Sequence, residues 1–158
     1  MEIIEYSSGY AKDVADLFYS SVHAIDSSIY SEEQKNTWAQ SPIDYVAWCR
    51  RLEKKRPYLL LISQQFSGFI ELESDGHIDC VYVSPEFQRK GVAATLLKYV
   101  IVRTQKLELQ QLYAEASIAA KSLFEKFGFV VKKENRIIRN EIVLCNYSMY
   151  IELTIQAA

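Results

Sequence analysis

The stretch from Tyr58 to Lys106 changes its hydrophobic period once, and that change limits the fold more than any other feature of the chain. Tyr58-Leu59-Leu60-Leu61-Ile62 is a continuous apolar run, as expected of a strand covered on both faces. Ser67 to Leu72 reads as a second strand, with a turn at Ser74-Asp75-Gly76. His77 to Val83 alternates: Ile78, Cys80 and Tyr82 are expected on one face, and Asp79, Val81 and Val83 on the other. Pro85 closes that strand. From Gly91 the period becomes helical, with Val92, Ala93, Leu96, Leu97, Val100 and Ile101 in one apolar stripe. A meander of strands that feeds a helix through a short polar loop needs a layered α/β structure.

The flanking segments extend this pattern. Ile3 to Tyr6 reads as a first strand, and Val14, Leu17, Phe18, Ser21 and Val22 predict a helix over about 10–22. Ser31 followed by acidic residues predicts a second helix to about Trp38. Ser41-Pro42 predicts a third, capped by Ser with Pro in its first turn and stopped at Arg56 by Pro57. Beyond the long helix, Leu109 to Ala116 reads as a strand and Ser117 to Phe127 as a helix capped by Gly128. Phe129 starts a further strand, and Leu144 to Leu153 forms the last. The final residues, 155–158, read as a frayed end.

The chain of 158 residues fits one domain, residues 1–158. Its 18 basic and 20 acidic residues nearly cancel, which gives no general attraction to nucleic acid or anionic membrane. Cys49, Cys80 and Cys145 are odd in number and widely spaced, so the expectation is three reduced thiols in the cytoplasm. His23 and His77 show no ligand spacing, so no metal is expected. The start of the chain lacks the basic flank and apolar run of a signal peptide, and no run reaches the roughly 20 apolar residues of a membrane span.

The chemistry points to the loop Gln88-Arg89-Lys90-Gly91-Val92-Ala93. A strand ends, a short polar turn follows, and a helix begins at a glycine. Such a junction aims free backbone N–H groups and the positive end of a helix dipole at one point, a site suited to a pyrophosphate. The small residues Gly91 and Ala93 admit a close approach, and Arg89 and Lys90 add charge. A P-loop is excluded because no Gly-Lys-Ser/Thr follows, and a dinucleotide fingerprint because GxGxxG is absent.

The segment Gln88-x-x-Gly91-x-Ala93, after a strand ending in Val and Pro, resembles the Gln/Arg-x-x-Gly-x-Gly/Ala loop of the GCN5-related (GNAT) acetyltransferases. Ala120-x-x-Leu123-Phe124-x-x-x-Gly128-Phe129 resembles that family's later segment, in the expected order. The likeness covers about residues 58–153. It implies a mixed, mostly antiparallel sheet of about seven strands flanked by helices. It also implies transfer of an acetyl group from acetyl-CoA to an amine of a small molecule or protein, by direct attack. A homodimer is common in the family.

By position, Val81, Tyr82 and Val83 would offer backbone to the pantetheine. Gln88, Arg89, Lys90, Gly91, Val92 and Ala93 would hold the pyrophosphate, with Ser117 and Phe124 beside the thioester. Phe124 stands where the family often has the tyrosine that protonates the thiolate, and Ser117 where an asparagine is common. Ala116-Ser117-x-x-Ala120, Phe124 and Asn146-Tyr147-Ser148-Met149 resemble a branch of the family that shares both departures. The departure at Phe124 keeps a rival reading open: a domain of this fold that senses acetyl-CoA without turnover.

Asp79, Glu71 and Glu115 are the candidate bases. Asp79 comes first because it shares a strand with the acetyl-binding backbone, against a reading as a hydrogen-bonded strand residue. Ser117 is the other candidate catalytic residue. His77 reads as a turn residue, and Cys80 and Cys145 as packing residues. Tyr30, Trp38, Tyr45 and Trp48 either line the acceptor site or pack against the sheet. Arg50, Arg51, Lys54, Lys55 and Arg56 read as a solvated helix end or as a steering patch for an acidic substrate.

Overall fold

A computed structural model describes residues 1–153; the expected frayed end at 155–158 lies outside them. The strands are β1 (Glu2–Glu5), β2 (Tyr58–Ile62), β3 (Gln65–Leu72), β4 (His77–Val83), β5 (Gln111–Ser117), β6 (Val130–Arg139) and β7 (Ile142–Glu152). Among the described residues they form one sheet in the order β1-β2-β3-β4-β5-β7-β6. Every neighbouring pair is antiparallel except β4 and β5. This is the expected mixed, mostly antiparallel sheet.

The helices are α1 (Ala11–His23), α2 (Glu32–Trp38), α3 (Tyr45–Lys55), α4 (Val92–Lys106) and α5 (Lys121–Lys126). They cover both faces, as the apolar run of β2 requires. Leu60 and Ile70 pack with Val92, Leu96 and Leu97 of α4, while Leu59 and Phe69 pack with Val14 and Leu17 of α1 and Leu52 of α3. No helix among the described residues is long and apolar enough to cross a membrane.

Ser31 caps α2 as expected. Its hydroxyl accepts from Gln34 N at 3.1 Å, and the Gln34 side chain accepts from Ser31 N at 2.8 Å. The start of α3 differs from the expectation. Asp44, not Ser41, is its cap, because the Asp44 carboxylate accepts from Ala47 N at 3.0 Å. The predicted helix from Ser117 also shortens to α5. Ser117 instead ends β5, and its hydroxyl accepts from Ala120 N at 3.1 Å to tighten the turn between them.

The alternation in β4 is corrected as well. Glu71 pairs with Cys80 but Leu72 pairs with Ile78, so Asp79 is the extra residue of a β-bulge. Ile78 therefore packs with Val81 and Val83 on the α4 face. Asp79, Cys80 and Tyr82 line one cavity on the α1 and α3 side.

Candidate active site

The strands β4 and β5 touch only at their beginnings. His77 pairs with Tyr113 and Ile78 with Ala114, and no pairing follows. The remainder of β4 still pairs with β3 along its other edge, through Cys80 to Val83. The edge of β4 facing β5 from Asp79 onward is thus left without a ladder partner, in a slot in the middle of the sheet. The side chains of Val81 and Val83 pack into the core beneath α4, so what they present to the slot is backbone.

The loop from β4 to α4 stands at the mouth of that slot. Pro85–Phe87 makes one 3-10 turn, and Gln88 to Gly91 is exposed. Arg89 and Gly91 hold φ of +62° and +79°. The bond from Thr95 N to Gly91 O, 2.9 Å, opens the helical ladder, so the N–H groups of Val92, Ala93 and Ala94 have no partner within the helix. A Cβ on Gly91 would meet no atom within 4 Å. The glycine therefore serves the positive φ and leaves open space above a row of free donors, which fits a phosphate oxyanion. Arg89 and Lys90 make no ion pair among the described residues. Val92 itself is buried and contributes backbone only.

Behind the slot lies a cavity of about 370 Å³ between α1, α2, α3 and the β6–β7 hairpin. Phe18, Tyr30, Trp38, Trp48 and Tyr82 supply its aromatic wall. Phe18 packs at 4.9 Å from both Trp48 and Tyr82. The Tyr30 hydroxyl donates to Cys145 O and accepts from Ile118 N, both at 2.8 Å, which ties the segment before α2 to the ends of β5 and β7. Tyr30, Trp38 and Trp48 thus take the expected wall positions. Tyr45 does not: it is exposed and donates to Asp16 at 2.6 Å.

A chain of alternating charges runs under the cavity floor. Arg51 donates to both oxygens of Glu71, at 3.2 and 2.6 Å, and to Asp79 at 2.9 Å. Lys55 links Asp79 at 2.9 Å to Glu73 at 3.3 Å. His77 then bridges Glu73 through Nδ1 and Glu115 through Nε2, each at 2.6 Å. Burial opposes charge on Asp79, yet the hydrogen bond from Lys55 and the charges of Arg51 and Lys55 outweigh it and hold the carboxyl below its usual range. Burial likewise opposes charge on His77, but the hydrogen bonds it donates to Glu115 and Glu73 prevail and raise it above its ordinary 6.5. Burial pushes the Cys80 thiol and the Tyr82 phenol well up, so both stay neutral.

These contacts revise several expectations. His77 is a strand residue locked between two carboxylates rather than a turn residue. Cys80 and Cys145 both line the cavity. Arg51 and Lys55 enter the site from what reads in sequence as a solvated helix end. Phe124 is 2% exposed and packs edge-on to Phe129 at 5.0 Å, so its ring serves the core and opens no surface to the slot. Asp79 lines the cavity but is committed to two cations. Glu71 is fully buried against Arg51, whereas Glu115 lines the cavity with His77 as its partner. Ser117 lines it too, and its hydroxyl hydrogen remains free to donate.

Sequence reasoning missed Arg139, the place of Asn146 in the cavity and the role of Arg51. Asn146 pairs with Ser117 across β5 and β7, and its carbonyl accepts from Asn135 at 2.9 Å, which leaves its NH₂ group to the cavity. Arg51 had a signal: Glu71 is a lone carboxylate in the apolar strand β3, and such a group demands a partner.

The comparisons with known proteins agree with this geometry. The family model described as "Acetyltransferase (GNAT) domain" matches residues 26–151. The Escherichia coli K12 protein YafP, an uncharacterized N-acetyltransferase, is 34% identical over 137 residues, 87% of this chain and 86% of its own length. A crystal structure from Rhodopseudomonas palustris, described as a GCN5-related N-acetyltransferase and as "Aminotransferase, Class-II", superposes with a TM-score of 0.90. It is 28% identical, over 96% of this chain and 95% of that one. The PaiA N-acetyltransferase of Thermoplasma acidophilum, solved with coenzyme A, gives a TM-score of 0.75 at 18% identity, over 96% and 98%. The bare helix N-terminus, the slot between β4 and β5 and these matches agree, and the chain belongs to the GNAT acetyltransferase family.

Proposed function

We propose that this chain moves an acetyl group from acetyl-CoA to a primary amine of a small molecule or a protein. The parting of β4 and β5 after Ile78 and Ala114 carries the reading, because it opens one slot between the bare N-terminus of α4 and an aromatic cavity. The coenzyme A bound to PaiA supports a coenzyme in this fold. In this chain Gln88 to Ala93 would bind the pyrophosphate and the Val81 to Val83 backbone the pantetheine. Acetyl-CoA supplies the activated thioester carbonyl and the leaving thiolate.

The chain's own residues do the rest. The cavity orients the amine toward the slot. Glu115 takes the proton that nitrogen loses as its bond to the carbonyl carbon forms, and His77 holds that carboxylate in place. Glu115 is better suited than Asp79, because two cations, Arg51 and Lys55, both bind Asp79 Oδ2, whereas Glu115 has His77 alone as its partner. Ser117 donates a hydrogen bond to the sulfur as the carbon–sulfur bond breaks, and solvent protonates the thiolate. Phe124 has no proton to give.

Thermal unfolding with acetyl-CoA, against ATP and NAD, tests binding. Ligand at 100 times its dissociation constant stabilises the fold by about 2.7 kcal/mol. Release of free thiol with a panel of amines tests transfer. A shift specific to acetyl-CoA without turnover of any amine would turn the reading to a sensing domain. No shift at all would remove the coenzyme.

A further inference from the structure

The aromatic cavity does not end at its outer wall. A second cavity of about 320 Å³ adjoins it, and Phe18, Trp38, Trp48 and Arg139 line both. Those four side chains form the boundary that the two cavities share, in an aromatic-walled cleft. Arg139 is the last residue of β6 and stands at this boundary, lining both cavities from the β6–β7 hairpin.

The charges along the cleft differ in how they are satisfied. Arg51 is bound by Glu71 and Asp79, Asp79 also by Lys55, and Glu115 by His77. In the second cavity, Asp44 is occupied as the cap of α3. Arg139 has no ion pair and no side-chain hydrogen bond among the described residues. It is an unanswered cation in the wall of an aromatic cleft, a geometry that suits a planar anion bound by both arms of the guanidinium.

The aromatic rings favour a flat neutral body over a second cation. Arg51 already lies 5.7 Å from the centre of the Trp48 ring, so a further positive charge there would meet like charge. Strand register sets the length. Ser117 pairs with Asn146, whereas Arg139 pairs with Ile142, four residues away along β7, or about 13 Å. That offset favours an acceptor with its amine and its anion at opposite ends over one that carries both on a single carbon atom.

Building on the acetyl-transfer reading, we propose that the acceptor is an elongated amine with a flat apolar middle and an anionic group at its far end, and that Arg139 selects it. The chain contains two tryptophans, Trp38 and Trp48, and both line the cleft, so intrinsic fluorescence reports occupancy without turnover.

Three probes separate the possibilities: 4-(2-aminoethyl)benzoate, phenethylamine, and phenylalanine, whose carboxylate lies beside the amine. Each is titrated into the coenzyme A-saturated protein. The benzoate should bind about 10-fold tighter than phenethylamine, and phenylalanine should show no such gain. Arg139→Gln should abolish the preference and Arg139→Lys should retain part of it, with unfolding temperatures unchanged because Arg139 is exposed and unpartnered. Equal binding of all three probes, or a preference that survives Arg139→Gln, overturns the proposal. Binding in this order with no acetyl transfer to any amine would instead overturn the proposed activity and leave the subsite standing.

Discussion

Glu71 and Asp79 share one guanidinium: Arg51 Nη2 lies 2.6 Å from the first carboxylate and 2.9 Å from the second. The two acids are not cross-strand partners. Glu71 faces Cys80, and only the bulge at Asp79 turns the second carboxylate to the side from which α3 delivers Arg51. The same bulge returns Ile78 to the α4 face and lies where β4 stops pairing with β5. One extra residue thus joins the opening of the slot to the anchoring of the helix that walls the aromatic cavity.

Removing Arg51 should therefore damage the fold before the chemistry. Arg51→Leu leaves Glu71, 0% exposed, as an uncompensated buried charge and should cost about 3–5 kcal/mol. That corresponds to a Tm drop on the order of 10 °C. Adding Glu71→Leu to that variant should recover most of the loss, since the charge and its partner then vanish together. Paired denaturant titrations check this; a double variant as weak as the single would show that Asp79 or the aromatic wall, not Glu71, is what Arg51 holds.

The clasp of His77 between Glu73 and Glu115 should appear as a pH dependence of stability. The folded protein holds His77 above 6.5, so its stabilising contribution is complete below that value and is lost as pH rises through the folded one. Glu73 is held below 4.5, foremost by the hydrogen bond from His77, so its contribution is present above 4.5 and is lost as pH falls through the folded value. Melting temperatures across pH should decline above 6.5 in the native chain and lie flatter there in His77→Gln. Parallel curves for the two proteins would show that His77 titrates alike in the folded and unfolded states, and that the clasp does not favour its charged form.

Much of this was legible in the sequence because it is periodic or capped. The change of period at Gly91 marked α4, the unbroken apolar run marked β2, and Ser31 with the acidic residues after it marked the start of α2. What escaped was decided between distant segments. The bulge at Asp79 reverses the facing of half of β4, and strict alternation carries no sign of it. Asp44 takes the cap of α3 from Ser41, although both residue types cap well, because only the path of the preceding chain decides between them. Arg51 and Lys55 look solvated until Glu71, Glu73 and Asp79, more than fifteen residues away, fold beneath them. Arg139 sits in a region with no motif and gains its place only from the length of the β6–β7 hairpin.

Gly68 couples the sheet to the first turn of α4. A Cβ there would stand 2.7 Å from Val92 Cγ1 and 2.9 Å from the backbone oxygen of Tyr82. The first contact pushes on the opening turn of α4, and the second presses on β4 beside the slot. Gly68→Ala should cost about 1–3 kcal/mol by overpacking and should weaken acetyl-CoA binding as α4 moves. Gly9→Ala is the control, because a Cβ at Gly9 meets nothing within 4 Å. Unaltered coenzyme affinity in Gly68→Ala would mean that α4 tolerates the shift or that its N-terminus is not the anion site.

Gly91 permits the sharper separation of conformation from binding. Its φ of +79° disfavours a side chain, although the space above it is empty. Gly91→Ala should lose roughly 1–2 kcal/mol from the left-handed backbone alone. Asparagine adopts that conformation more readily, so Gly91→Asn should fold with less strain while placing an amide where a phosphate would rest. Calorimetric titration should then show an acetyl-CoA affinity at least about 10-fold weaker in Gly91→Asn, equivalent to about 1.4 kcal/mol, on a fold whose circular dichroism is native. Native affinity in the asparagine variant would separate the loop from the coenzyme and leave the slot between β4 and β5 without its anion site.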